Sequence, residues 1–475
     1  MTPSFLIEQN ACAREKSENF LADSVYTFRL REIPRLLDEI DAKLLEAASG
    51  MDSCVAVECG NSVPAALLAL ALMRAGRSFI LAPTSVTGND LKPVPRFCSH
   101  RITVRSPHDA TTPVASCLNA ETNPLYNGKP AAKNKLYLRT SGSMGVSKIV
   151  VHSHTGMIGN ARNCVEKYDF TAESRVSIPV PLAHMYGFGA AFLPAFLAGS
   201  SIDLQDKTNV IRYLDRERHF RPNIVFATPA LCEMLLTAFR KPRTQYQAFV
   251  TSGQRIGEQL FRSFDQAVGG RLINQYGSTE MGAAAACDLG DPVDNRATEI
   301  GRPMDGVEFR LEPQSNDNSA PRYALYCRHP WGYEGYLDED GKWIANAAPD
   351  GWYRTGDIAM KTASGSLTVT GRADASVNRS GYLVMLSDIE RIIETLDGVG
   401  EAAVVAGSKE TERGLSIAAF CVLRSGAVLD GTEVRRRCSG VMPPYAVPDL
   451  VRIVDELPLL TSGKLNRHAL EEMIA

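Results

Sequence analysis

Tyr137-Leu138-Arg139-Thr140-Ser141-Gly142-Ser143-Met144-Gly145-Val146-Ser147-Lys148-Ile149-Val150-Val151 reads as strand, tight loop, strand. β-Prone apolar residues lead into the loop and out of it. Between them lie four hydroxyl side chains, two glycines and one lysine. Glycine lets backbone N–H groups converge on an anion, hydroxyls add donors and the lysine adds positive charge, a combination suited to a polyphosphate. The loop is not of the Walker type, because Lys148 does not directly follow a glycine and no Ser or Thr follows it. Taken alone, the stretch reads equally well as a Gly/Ser hairpin turn.

Outward from this loop the chain alternates between strand and helix patterns. Upstream, Val55–Glu58, Pro64–Ala75 and Ser78–Pro83 read as strand, buried helix and strand, with a surface helix over Pro34–Ala48 before them. Downstream, strands are expected over Val176–Val180, Asn223–Thr228, Ala248–Thr251 and Arg271–Gln275. Helices are expected over Phe188–Ala198, Val210–His219, Pro229–Arg240 and Gly257–Ala267. Such alternation predicts an α/β fold of doubly wound, mostly parallel sheets, with ligand loops at the carboxyl ends of strands. Ser252-Gly253 and Tyr276–Glu280 fall at such ends. Residues of about 300–370 turn rich in Gly, Asp, Trp and Tyr and predict a β-rich subdomain. A small α+β domain follows, with a helix over Ser387–Leu396 capped by Ser387. The expected division is a large domain over 1–373 and a small one over 374–475. Residues 84–134 show weak periodicity, and His100 and His108 there read as surface histidines. His152 and His154, two apart, are expected on one face of a strand.

At 475 residues the chain exceeds one ordinary core. Net charge is 51 − 54 = −3, which offers no global basic field to nucleic acid or an anionic membrane. Eleven cysteines, an odd number without a CxxC spacing, predict free thiols in a reducing compartment. No secretory pattern opens the sequence, and the apolar run Ala65–Met73 is less than half a membrane span. The expectation is a cytoplasmic protein with no membrane span. Monomer and homodimer both remain open.

Four further stretches follow the loop in order: Tyr276-Gly277-Ser278-Thr279-Glu280, Trp352-Tyr353-Arg354-Thr355-Gly356-Asp357, Gly371-Arg372-Ala373-Asp374, and Pro458-Leu459-Leu460-Thr461-Ser462-Gly463-Lys464-Leu465-Asn466-Arg467. Together with the first, these resemble the core motifs of the acyl-adenylate-forming superfamily. That family takes in acyl- and aryl-CoA synthetases, adenylation domains and firefly luciferases. The resemblance runs from about Val55 to Leu470 and implies ATP and Mg²⁺ as requirements. It implies that Thr140, Ser141, Gly142, Ser143, Met144, Gly145 and Lys148 cradle the β- and γ-phosphates. Ser252, Gly253, Asn274, Gln275, Tyr276 and Gly277 would line the nucleotide, with Tyr276 against adenine. Thr279 would serve the α-phosphate, Glu280 would hold Mg²⁺, Asp357 would take the ribose hydroxyls, and Arg372 the ribose or phosphates. Lys464 matches the adenylating lysine, a mobile point charge bridging carboxylate and α-phosphate. Asp374 matches the hinge between adenylating and acyl-transferring states, and Ser380-Gly381-Tyr382 the stretch lining a pantetheine channel. Without these surroundings, Glu280 and Asp357 would read as solvated carboxylates.

Four positions depart from the family pattern: Met144, where Thr is usual, Ser147, where Pro is usual, Asn378 for Lys and Leu383 for Arg. None of them removes Glu280, Asp357 or Lys464. The implied function is an ATP-dependent carboxylic acid ligase passing its acyl group to a thiol, either CoA or the phosphopantetheine of an acyl carrier protein. A silent nucleotide- or acyl-binding regulator is the alternative from another class. In Pro181–Phe188 the family's amino-acid-activating members usually carry an aspartate, and here there is none. An ammonium buried there would lack a counter-charge. His184, Met185, Tyr186 and Phe188, with Gly253 and the Ala283–Ala286 run, predict a mainly apolar wall for an aromatic acid of the benzoate or cinnamate type. A medium-chain fatty acid is second. Met185 and Phe188 read nearly as well as plain core.

Overall fold

The apolar runs on both sides of the glycine loop pair with each other, which makes the stretch a β-hairpin and places it within a larger sheet. The computed structural model describes residues 18–47, 54–84, 93–129, 131–140, 148–206, 209–239, 245–253, 257–314, 321–363, 365–379, 382–411, 414–460 and 465–474. Two compact units divide them: one from 1–308 and 328–353, the other from 309–327 and 354–475.

In the first unit the strands are β1 (Phe20–Ala22), β2 (Thr27–Arg29), β3 (Cys54–Cys59), β4 (Phe79–Pro83), β5 (Cys98–Val104), β6 (Leu118–Thr122), β7 (Lys135–Arg139) and β8 (Ile149–Ser153). After them come β9 (Arg175–Ile178), β10 (Ser201–Leu204), β11 (Ile224–Phe226), β12 (Ala248–Ser252), β13 (Arg271–Ser278), β14 (Gly282–Ala286) and β15 (Arg302–Pro303). One sheet runs β15-β14-β13-β12-β11-β9-β10-β1-β2, parallel from β13 through to β1. β14 folds back antiparallel on β13. The second unit's strands begin with β16 (Glu308–Pro313) and β17 (Tyr323–Arg328); β18 (Gly335–Leu337) and β19 (Trp343–Asn346) return to the first unit. There they complete a second sheet, β19-β18-β8-β7-β4-β3-β5-β6. Helices with apolar faces cover these sheets. The helix Val63–Arg74 is buried along all but its last residue, as its uninterrupted Ala/Leu sequence requires. Ser62 caps it and Pro64 sits in its tolerated first turn.

The second unit holds β20 (Trp352–Lys361) from Arg354 onward and β21 (Leu367–Arg372), in the order β16-β17-β20-β21. Beyond them β22 (Ser376–Arg379), β23 (Tyr382–Met385), β24 (Val399–Thr411), β25 (Gly414–Leu423) and β26 (Leu450–Ile453) form a further sheet. The helices Leu386–Glu394 and Gly431–Val441 share its core, with Ile389, Ile393, Val434 and Cys438 packed beneath them. The expected division at 373/374 therefore falls inside this unit. Ser387 Oγ donates to the Thr370 carbonyl at 2.6 Å, and Arg322 pairs with Asp388 at 2.7 Å.

Several local expectations change. Residues 84–134 contain β5 and β6, a short antiparallel pair; burial on both sides of β5 hid its period. His100 is buried, its Nδ1 2.9 Å from Ser99 Oγ. His152 lies within β8, whereas His154 opens the helix His154–Lys167 capped by Ser153, so the two do not share a strand face. Ser387 lies inside the helix Leu386–Glu394 and gives its hydroxyl to Thr370 rather than to a cap. The expected helix over 188–198 is a π-helical segment, Tyr186–Phe192, running into an α-helix, Leu193–Leu197. Among the described residues the ten cysteines are buried free thiols, and no helix is long and apolar enough to cross a membrane.

Candidate active site

The β7–β8 hairpin closes with the Thr140 amide donating to the Lys148 carbonyl at 3.0 Å. Ion pairs lock its base: Lys135 Nζ to Glu334 at 2.5 Å and Arg139 Nη2 to Glu339 at 2.9 Å. Ser141, Gly142, Ser143, Met144, Gly145 and Ser147 lie outside the described residues, as do Ser380, Gly381 and Lys464. The same holds for the side chains of Asp374, Asn378, Tyr382 and Leu383.

Lys148 leaves the hairpin with its Nζ 5.0 Å from the centroid of the Tyr336 ring, a separation at which an ammonium is attracted to an aromatic face. The Tyr336 hydroxyl in turn donates to Glu280 Oε1 at 2.9 Å. Tyr336 is on β18, paired with Val150 of β8, so strand register brings it to the mouth of the hairpin. Tyr333 and Tyr353 complete an aromatic cluster: ring centroids are 5.1 Å from Tyr333 to Tyr336 and 5.3 Å from Tyr333 to Tyr353. The Tyr333 amide donates to the Glu280 carbonyl at 2.8 Å. Burial, then the Glu280 charge, push the Tyr336 phenol well above its usual range, so it stays a proton donor. Sequence reasoning singled out Lys148 and Glu280 but missed this cluster. The signal was the Tyr333/Tyr336 spacing in Gly332–Tyr336, unremarkable without the sheet register.

From beneath, His152 Nε2 donates to the Thr279 carbonyl at 2.7 Å and fixes the turn that presents Thr279 and Glu280. A carbonyl only accepts, so the proton is on Nε2. His329 acts alongside it: Nε2 donates to the Ala283 carbonyl at 3.0 Å and Nδ1 accepts from the Trp331 amide at 3.0 Å. His154 packs its ring 5.6 Å from that of Phe79. Burial lowers all three imidazoles to a pKa of about 4. An unfolded chain takes up these protons near pH 6.5 and the folded one only near 4. Each group therefore removes about 1.4 kcal/mol of stability per pH unit as pH falls through that window. We expect thermal unfolding midpoints to drop steeply between pH 6.5 and 4.5, and less steeply in His154→Gln. A melting temperature unchanged over that range would contradict the burial of neutral imidazoles.

On β12 and β13, several predicted nucleotide ligands already hold internal bonds. Ser252 Oγ donates to the Gln275 carbonyl at 2.9 Å, and Tyr168 donates to Gln275 Oε1 at 2.8 Å in the core. Asn274 Oδ1 is buried with no hydrogen-bond partner among the described residues, an acceptor in want of a donor. Gly253, at φ +88°, ends β12 in the left-handed region. At Gly277 a Cβ would stand 2.2 Å from the Gly282 carbonyl oxygen, so only glycine lets β13 and β14 approach so closely.

The expected acid-binding wall is built on the π-helical segment. Met185 and Phe188 are buried, and the Phe188 ring stacks on Phe192 at 5.8 Å. The Tyr186 hydroxyl donates to the Val250 carbonyl at 2.5 Å. His184 is exposed and Ala283 buried. Two asparagines that sequence reasoning passed over hold the wall. Asn61 Nδ2 donates to the carbonyls of Ile178 and Val180 at 3.0 and 2.7 Å, while its Oδ1 accepts from the Leu182 amide at 2.7 Å. Asn160 Nδ2 donates to the Gly189 carbonyl at 2.9 Å and its Oδ1 accepts from the Ala283 amide at 2.9 Å. That second bridge ties the π-helical segment to β14.

In the second unit Asp357 and Arg372 are direct cross-strand neighbours, with Nη1 3.6 Å from Oδ1. Arg372 also donates to the Thr355 carbonyl at 2.9 Å, and the Asp357 amide donates to Thr355 Oγ1 at 3.0 Å. Gly356 turns this corner at φ +78°, where a Cβ would meet the Arg372 guanidinium at 2.8 Å. Asp374 lies in a short 3₁₀ turn, Ala373–Ala375.

The family model described as AMP-binding enzyme matches residues 31–337, and that of the AMP-binding enzyme C-terminal domain matches 388–464. A salicylyl-CoA synthase / salicylate adenylyltransferase of a Streptomyces species is 26% identical over 71% of this chain, a match spanning 63% of its own length. A 4-hydroxybenzoate–CoA/benzoate–CoA ligase of Rhodopseudomonas palustris is 27% identical over 79% of this chain and 71% of its own length. The crystal structure of ATP-bound MatB from Rhodopseudomonas palustris shares the fold, with a TM-score of 0.84 at 20% identity, covering 100% of this chain and 99% of that one.

Proposed function

The chain belongs to the family of AMP-binding enzymes, and from that membership we propose that it is an AMP-forming acid–thiol ligase for an aromatic carboxylic acid. The observation that carries this reading is the meeting of Lys148 and Glu280 on Tyr336, which unites two motifs far apart in sequence. In the first step a carboxylate oxygen attacks the α-phosphorus of ATP and pyrophosphate leaves, giving an acyl-adenylate. In the second a thiolate attacks the activated carbonyl and AMP leaves. Positioning and electrostatics supply most of the rate in such a reaction.

In this proposal Lys148 and the hairpin loop hold the β- and γ-phosphates. Thr279 donates to the α-phosphate, Asn274 offers its buried acceptor to the adenine amine, and Tyr276 lies against the base. Asp357 and Arg372 serve the ribose, and Lys464 brings the carboxylate and α-phosphate together. Glu280 is a hard oxygen donor fit for Mg²⁺, which would offset phosphate charge. CoA is the acceptor by preference, through the stretch Ser380–Tyr382, with a carrier-protein phosphopantetheine as the other thiol of the same chemistry.

The acid's aromatic character rests on the wall of Met185, Tyr186 and Phe188, the absence of a carboxylate in Pro181–Phe188, and the names of the two aryl-acid relatives. With enzyme, ATP and Mg²⁺, acid-dependent exchange of labelled pyrophosphate into ATP is expected, strongest with benzoates and cinnamates. C4–C12 fatty acids should come second, and amino acids should fail for want of a counter-charge to their ammonium. No exchange with any acid, from well-folded protein, would favour a silent nucleotide-binding regulator. A clear preference for an amino acid would overturn the assignment of the pocket.

A further inference from the structure

Two opposite charges that must each serve the same nucleotide gain nothing by neutralising one another. Lys148 and Glu280 are such a pair, and Tyr336 engages each through a different part of one side chain: the ammonium at its ring face, the carboxylate at its hydroxyl. We propose that Tyr336 is a positioning residue that holds the phosphate-binding ammonium and the metal-binding carboxylate apart, so that neither is consumed in a direct ion pair. The proposal rests on the ligase reading above.

The surroundings fit a fixed spacer. Tyr336 is anchored by β18 between β8 and β19. Its ring is braced by Tyr333. Glu280 is held from the other side by its own backbone, through the Tyr333 amide. With Oε1 occupied by the phenol, Oε2 is the oxygen presented to a cation, and a carboxylate so oriented loses less freedom on binding. Among the described residues no ion pair links Lys148 to Glu280.

The test is Tyr336→Phe, which keeps the ring under Lys148 and removes only the hydroxyl. Nucleotide binding is followed by titration calorimetry with ATP at several Mg²⁺ concentrations, beside pyrophosphate exchange. The Mg²⁺ concentration for half-maximal ATP binding should rise about tenfold, the order expected for one hydrogen bond to a charged group. The KM for the acid should not move. In a Glu280→Gln background the same change should add nothing, because Tyr336 acts through that carboxylate. Tyr353→Phe removes the neighbouring hydroxyl without touching Glu280 and controls for general loosening. Wild-type Mg²⁺ dependence in Tyr336→Phe, an equal shift in Tyr353→Phe, or full additivity with Glu280→Gln would each overturn the inference while leaving the ligase reading intact. If the unaltered protein bound no ATP with Mg²⁺, both would fall together.

Discussion

Lys464→Ala is expected to lower acid-dependent pyrophosphate exchange by about three orders of magnitude while sparing transfer from a supplied acyl-adenylate to CoA. In the proposed first step negative charge from the acid and from the α-phosphate must be brought into contact, and an ammonium on a flexible stem is the group that permits it. Losing a preorganised donor at a reacting centre costs on the order of 10²–10³ in rate, and a full positive charge between two anions stands at or above the upper end. Once the adenylate exists, that repulsion is already overcome and the lysine has no further task. Following the two half-reactions separately by mass of product checks this. Equal loss in both would show that Lys464 supports the fold or serves both steps.

Glu280→Gln should reduce exchange by a factor on the order of 10²–10³, because in the proposed site it removes the charged ligand of the metal that would offset phosphate charge. The substitution is chosen for its geometry: glutamine keeps the length of the side chain and an oxygen that accepts from the Tyr336 hydroxyl. The fold should therefore survive, with an unchanged thermal midpoint, and the loss should be partly recovered at high Mg²⁺. Full exchange at ordinary Mg²⁺ in this variant would remove Glu280 from the metal's coordination and leave it a bonding partner of Tyr336 alone.

What the sequence by itself determined is the part of the molecule written in local patterns. The glycine- and hydroxyl-rich hairpin between apolar strands, the strand–helix alternation from 175 to 275 and the buried Ala/Leu helix all follow from periodicity and residue chemistry within one element. So does the placement of Ser252-Gly253 and Tyr276–Glu280 at the carboxyl ends of β12 and β13. The motif order identified the family. Where burial on both faces erased periodicity, as in β5, that reading lapsed. It lapsed too where the chain departed from the α-helical period, as in Tyr186–Phe192. There Gly187 is forced by a backbone approach that no local pattern announces: its Cβ would lie 2.1 Å from the Pro181 carbonyl oxygen.

Only the tertiary structure decided which polar groups meet. Tyr336 reaches Glu280 and Lys148 because β18 pairs with β8, a long-range register that sequence spacing does not encode. His152 and His154, two residues apart, part company because one lies in a strand and the other begins a helix. Asn160 joins Gly189 to Ala283, and Asn61 clamps Ile178, Val180 and Leu182, from positions that read as ordinary polar residues. The physical reason is the same in each case. A buried polar group must find its partner, and which partner lies within hydrogen-bonding reach is settled by packing between elements, not by the residues beside it in the chain.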